Sequence, residues 1–156
     1  VTTLLILLSL LWGTLVGHAT HWALHQRWTG PLYRAHMHHH GTAYPVRDLL
    51  GPGPYRSSGS ASGNLWFPPL VVPPLLAWLL VIRALGHAWW PSLAVLLAVG
   101  IAHSVVHDAL HVTGGLGDRM PRLRALHFEH HRRPDRNFGI VCFVWDRVFG
   151  TYRPPR

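Results

Sequence analysis

Charge placement restricts the fold of this chain more than any other feature. Three long stretches of its 156 residues hold no Asp, Glu, Lys or Arg: Val1 to Gln26, about Asn64 to Ile82, and Ala84 to His107. Each is close to or above the roughly 20 residues that an α-helix needs to cross a bilayer. The apolar part of the first ends near Val16. Pro68-Pro69 and Pro73-Pro74 interrupt the second, which predicts a kinked or late-starting helix. Charged residues make up only 13% of the chain, too few to coat a soluble globule. The expectation is an all-α, integral membrane helical bundle of about three transmembrane helices, forming one domain over residues 1–156.

Arginine placement gives the orientation. If all three stretches cross, residues 27–63 and 108–156 share one side, and 13 of the 14 arginines fall there; Arg83 alone falls on the other. Arg-rich loops stay cytoplasmic. The net charge of +8 therefore reads as positive-inside bias and contact with anionic headgroups, not as a nucleic-acid footprint. Residues 41–63, rich in Gly, Pro and Ser, read as a flexible connection.

Several chemistries are excluded. Glu129 is the sole glutamate, so a ferritin-like carboxylate di-iron bundle cannot be assembled. One cysteine, Cys142, supports neither a disulfide framework nor a Cys-rich zinc or iron–sulfur site. There is no Gly-x-Ser-x-Gly, P-loop or dinucleotide fingerprint.

Histidine is present 14 times, and the spacing is regular. His21 and His25, and again His107 and His111, stand four apart, stacked on one helix face. His36, His39 and His40 have offsets of zero, three and four, as do His127, His130 and His131. These ten fall into four groups, two in each half, each following a membrane stretch on the Arg-rich side. Imidazole is a good ligand for iron, zinc and copper, and ten ligands exceed what one ion uses, so the pattern predicts two metals at one cytoplasmic pole. His38 points off the shared face and His87 lies at the far turn. His18 and His103 extend their helices one turn towards the bilayer, as extra ligands or as polar residues packed inside the bundle.

These four groups in order, with Asn137-Phe138-Gly139 and the tail Trp145-Asp146-Arg147-Val148-Phe149-Gly150-Thr151-Tyr152, closely resemble the fatty acid hydroxylase/sterol desaturase superfamily. The resemblance covers residues 18–40 and 103–153. It implies a membrane-bound, non-haem di-iron oxidoreductase that uses O2 to hydroxylate or desaturate an apolar, lipid-type substrate at an unactivated C–H bond. The metal ligands it implies are His21, His25, His36, His39, His40, His107, His111, His127, His130 and His131. Zinc is expected to replace iron readily in purified protein, because imidazoles discriminate weakly between them. Asp108, Glu129, Asp135 and Asp146 suit groups that accept imidazole N–H bonds behind the metals, and Asn137 orients a ligand or shapes the turn before Gly139. For Asp135 and Asp146 the plainer alternative is a salt bridge to an arginine. No flavin, haem or ferredoxin module is visible, so electrons are expected from a separate donor protein. Members of this superfamily usually have four membrane helices, which leads us to expect that a first helix is missing here or comes from a partner.

Two other functions compete. A histidine-rich membrane metal transporter or store would carry its ligands along the spans, near the midplane. A non-catalytic partner subunit of such an oxygenase fits the short chain but not the complete histidine set.

Overall fold

The protein is described by a computed structural model over residues 2–51 and 68–155. Most of the connection read at 41–63, and the start of the second apolar stretch at Asn64, lie outside the described residues. Among the described residues six α-helices run in chain order: α1 (Thr2–Leu24), α2 (Pro31–His38), α3 (Pro68–Ala84), α4 (Trp90–Leu110), α5 (Pro121–Arg132) and α6 (Val144–Val148). Among the described residues there is no strand; Gly51 and Val112 form an isolated bridge.

The long helices α1 and α4 are long and apolar enough to cross a membrane. Only about a fifth of each apolar window is buried, 22% and 17%, whereas the core helix of a soluble protein would be mostly buried. On α4, Leu97, Ile101 and Val105 recur every fourth residue and each is more than half exposed. Leu4, Leu7 and Leu11 form a similar stripe on α1. The second expected span is shorter over the described residues. Helix α3 has 17 residues, about 26 Å at 1.5 Å each, and carries Pro73 and Pro74 inside it. Two missing amide donors leave carbonyls one turn back without their helical partners.

Helix α1 is the hub, packing on both α3 and α4. Towards α4 it presents Gly13 and Gly17, four residues apart. A Cβ at Gly13 would lie 3.2 Å from Leu96 Cδ2, and one at Gly17 would lie 2.6 Å from the His103 ring. Small residues at this spacing let two membrane helices approach closely. Towards α3, Trp12 and Trp78 stack at 5.6 Å, and each indole N–H finds an acceptor across the seam. Trp12 donates to the Pro74 carbonyl at 3.1 Å and Trp78 to Ser9 Oγ at 3.0 Å. In apolar surroundings such bonds satisfy groups that would otherwise be costly.

The C-terminal ends of α1 and α4 meet at one end of the bundle, since the His21 and His107 rings lie 6.5 Å apart. Helices α2 and α5 cover that end, each opening on a proline in its first turn, where the absent amide costs nothing.

Candidate metal centre

The site is made of imidazoles. Ring nitrogens of His21, His25, His36, His40 and His130 all lie within 4.8 Å of one another, and those of His39, His111, His127 and His131 form a second such group. We call these the first and second pockets. Their common wall is the stacked pair His40 and His131, with ring centres 4.1 Å apart. Nine of the ten expected ligands are thus brought together. The tenth, His107, packs beside the second pocket, 4.9 Å from the His39 ring and 4.8 Å from that of His127.

The grouping follows neither the halves of the chain nor the four sequence clusters. At about 100° per residue, positions zero and four of a helix point within about 40° of each other, while position three points about 60° to the other side. His36 and His40 therefore share the first pocket while His39 enters the second. In α5 the arrangement is mirrored: His127 and His131 share the second pocket and His130 crosses to the first. After α2 the backbone widens into a π-helical turn over His39–Ala43. Such turns occur often at functional sites.

Hydrogen bonds behind the rings fix their tautomers. Nδ1 of His21 faces the Phe138 carbonyl at 2.7 Å, His111 that of Leu49 at 2.8 Å, His130 that of Arg136 at 2.6 Å, and His131 that of Tyr44 at 3.1 Å. A carbonyl only accepts, so each Nδ1 carries the proton and each Nε2 keeps a lone pair facing inwards. The Nε2 atoms then crowd. His25 lies 3.0 Å from both His130 and His36, His36 lies 3.2 Å from His40, and His111 lies 2.8 Å from His127. Protons on Nε2 of His25 and His40, with Nε2 of His36 and His130 accepting, would satisfy that chain, but would leave buried His21 Nε2 with no donor. His131 Nε2 is in the same position in the second pocket. One cation in each pocket satisfies both. Two ligands at right angles, each about 2.1 Å from an ion, stand about 3.0 Å apart, which is the spacing observed. The donor set fits a pair of transition-metal ions.

Electrostatics point the same way. Burial, and then the neighbouring imidazoles, hold His36, His39, His40, His127, His130 and His131 well below the ordinary histidine value. Burial and His21 lower His25 to about 2. Burial and His107 lower His111 to about 3, against the opposing pull of the Leu49 carbonyl. Neutral imidazole is the form that binds metal.

The family model described as fatty acid hydroxylase matches residues 6–151. The chain belongs to the fatty acid hydroxylase family. Neither the curated proteins nor the solved structures gave a match. Family membership agrees with the resemblance carried by the histidine groups and by the Trp145–Tyr152 tail.

The carboxylates divide between imidazoles, for Asp108 and Asp146, and arginines, for Glu129 and Asp135. Four imidazole N–H groups go to main-chain carbonyls, not to acids. Glu129 is buried on α5 but faces arginines: Arg133 and Arg153 at 3.4 Å and Arg132 at 3.9 Å. Asp108 is half-exposed, 3.7 Å from the Nδ1 of its neighbour His107. Asp135 pairs with Arg136 at 3.1 Å. Asn137, at φ 54°, shapes a turn. Its Nδ2 donates to the Leu126 and Arg153 carbonyls and its Oδ1 accepts the Arg153 N–H, so its polar atoms point away from both pockets.

His18 and His103 belong to neither pocket. His18 Nδ1 stands 3.6 Å from Asp146 Oδ2, and its ring stacks on Phe149 at 5.4 Å. His103 packs on Gly17 in the α1–α4 seam. His38 is exposed, and His87 sits at the opposite end beside exposed Trp89 and Trp90.

Arg124 was not singled out by its sequence context. Its guanidinium donates to the carbonyls of Leu110 at 3.0 Å, Val112 at 2.6 Å and Ala109 at 3.4 Å, and to Asp118. It thereby caps the end of α4 that carries His107 and His111. Gly117 lies so close to the Ala109 carbonyl and Arg124 that a Cβ has no room there.

Proposed function

We propose that this protein is a membrane-bound di-iron oxygenase that hydroxylates or desaturates an apolar, lipid-type substrate at an unactivated C–H bond. O2 is its co-substrate, and a separate protein supplies the electrons. The observation that carries this reading is the convergence of nine imidazoles, eight of them buried, into two adjoining pockets, in a chain of the fatty acid hydroxylase family. Two iron ions held there supply O2 activation and oxidation of the C–H bond.

The chain's own contribution is positional. His21, His25, His36, His40 and His130 hold one ion, and His39, His111, His127 and His131 hold the other. His107 completes the second set as the counterpart of His21. Main-chain carbonyls fix the rings so that the lone pairs converge, while Glu129, Asp108 and Asn137 act as positioning residues. The exposed apolar stripes of α1 and α4 suit residence in a bilayer, from which an apolar substrate would enter. The arginine distribution supports a cytoplasmic metal pole and C-terminus. We assign the donor protein to the surface near Arg136, whose carbonyl holds His130. Beside it Arg136, Tyr152, Arg153, Pro154 and Pro155 line an open cavity of about 410 Å³.

Membranes from cells with and without the protein, supplied with ¹⁸O2, test the reading. We expect a lipid product that carries the label or a new double bond and depends on O2. An unchanged lipid profile, with metal flux into vesicles instead, would favour a transporter.

A further inference from the structure

Asp146 lies on α6, touches neither pocket, and is fully buried. Its carboxylate is nonetheless saturated. Oδ1 accepts the Phe138 N–H at 2.7 Å and the Thr151 hydroxyl at 2.7 Å, and Oδ2 accepts the Gly139 N–H at 2.8 Å. Its main-chain oxygen accepts the N–H groups of Thr151 and Tyr152 at 2.8 and 2.9 Å. Gly139 must be glycine for this contact, because a Cβ would lie 2.8 Å from Oδ2 and collide with the Cys142 carbonyl. The stapled backbone is the one that supports the first pocket. The Phe138 carbonyl holds His21 and the Arg136 carbonyl holds His130. The second pocket leans elsewhere, with His131 on the Tyr44 carbonyl and His111 on that of Leu49.

We propose that Asp146 is the positioning residue of the first metal pocket and not of the second, acting through the 136–139 backbone that aims His21 and His130. This rests on the two-metal reading above. Charge-assisted bonds from a buried carboxylate to amides are among the stronger hydrogen bonds. Losing a group that orients a metal ligand typically weakens metal binding roughly 10–100-fold.

The test is zinc release from purified, zinc-loaded protein into excess chelator, followed ion by ion. Wild type should hold two ions. Asp146→Asn puts an NH2 group where an amide N–H or the Thr151 hydroxyl needs an acceptor. It should speed release of one ion roughly 10–100-fold and leave the other unchanged. Thr151→Val, which removes one bond to the carboxylate, should shift the same ion by less. In a His127→Ala background, which disables the second pocket, Asp146→Asn should retain its whole effect; in His130→Ala it should have none. A merely structural role would loosen both ions together. Equal loosening, or no loosening in a folded Asp146→Asn protein, overturns the proposal. If Asp146→Asn does not fold, Thr151→Val decides by the same one-ion criterion. Fewer than two ions in wild type would overturn the two-pocket reading, and this proposal with it.

Discussion

The first and second pockets use similar parts in mirrored order: histidines from the end of a long helix (His21 and His25 in the first, His111 in the second), two histidines four apart from one covering segment, and one that crosses from the other. They differ in what stands behind them. The first pocket leans on the C-terminal loop at 136–139, which Asp146 staples from α6. The second leans on the Tyr44 and Leu49 carbonyls and on the end of α4. That segment is tied in where Gly51 N–H donates to the His111 carbonyl at 2.9 Å, and Arg124 caps the helix. Two similar ligand sets with separate supports should be separable by mutation. The crossed histidines should then betray which half of the chain serves which ion.

The largest expected effect comes from breaking the crossing itself. His39→Ala should remove the ion of the second pocket although His39 sits among residues of the first, and His130→Ala should do the reverse. Each should abolish turnover and leave about one metal per chain by elemental analysis, because removing one imidazole opens a coordination position. Loss of the same ion in both variants would mean that the grouping is wrong.

Arg124→Ala should come next. It strips three main-chain carbonyls of a charged donor, which should cost about 3 kcal/mol of stability by denaturant titration. Metal should be lost from the second pocket first. Glu129→Gln should act more gently. Glu129 faces arginines instead of imidazoles, so metal content should stay at two and turnover should fall by roughly tenfold, the low end for groups behind metal ligands. Metal loss as complete as in His130→Ala would assign Glu129 a closer role.

The metal-free protein should also lose stability as pH falls. His25 and His111 titrate near 2 and 3 in the folded chain. Unfolded histidines titrate near about 6.5. Below that value the unfolded state binds more protons, so the stabilisation is present above about pH 6.5 and declines as pH drops towards the folded values. Unfolding midpoints measured from pH 7 to 4 should decrease steadily, and a flat profile would mean that the rings are not buried as described. His87→Ala, at the opposite end, should change metal content and turnover least of all.

The histidine clusters were legible in the sequence because imidazole spacing on a helix is a local property, and nine of those ten rings gather into two groups. Their division into pockets was not. Offsets of zero, three and four look like one face until a second pocket exists for the third position to enter. The groups behind the rings were illegible for a different reason. Every residue has a carbonyl, and nothing about Leu49 or Phe138 marks theirs as hydrogen-bond acceptors for a histidine more than 60 residues away. Nothing in the sequence marks Gly13 and Gly17 as a helix contact; that use follows from Leu96 and Val99 packing on the first and His103 on the second. Of the three apolar stretches, two gave helices of spanning length. The second, with its internal prolines, gave the shorter α3 over the described residues.

The pairing of pockets is tested most directly by anomalous diffraction from crystals of the metal-loaded protein, recorded above and below the absorption edge of the bound metal. Two separate peaks are expected. One should be bounded by His21, His25, His36, His40 and His130, the other by His39, His111, His127 and His131. A single peak, or two peaks that each draw ligands from one half of the chain only, would contradict it.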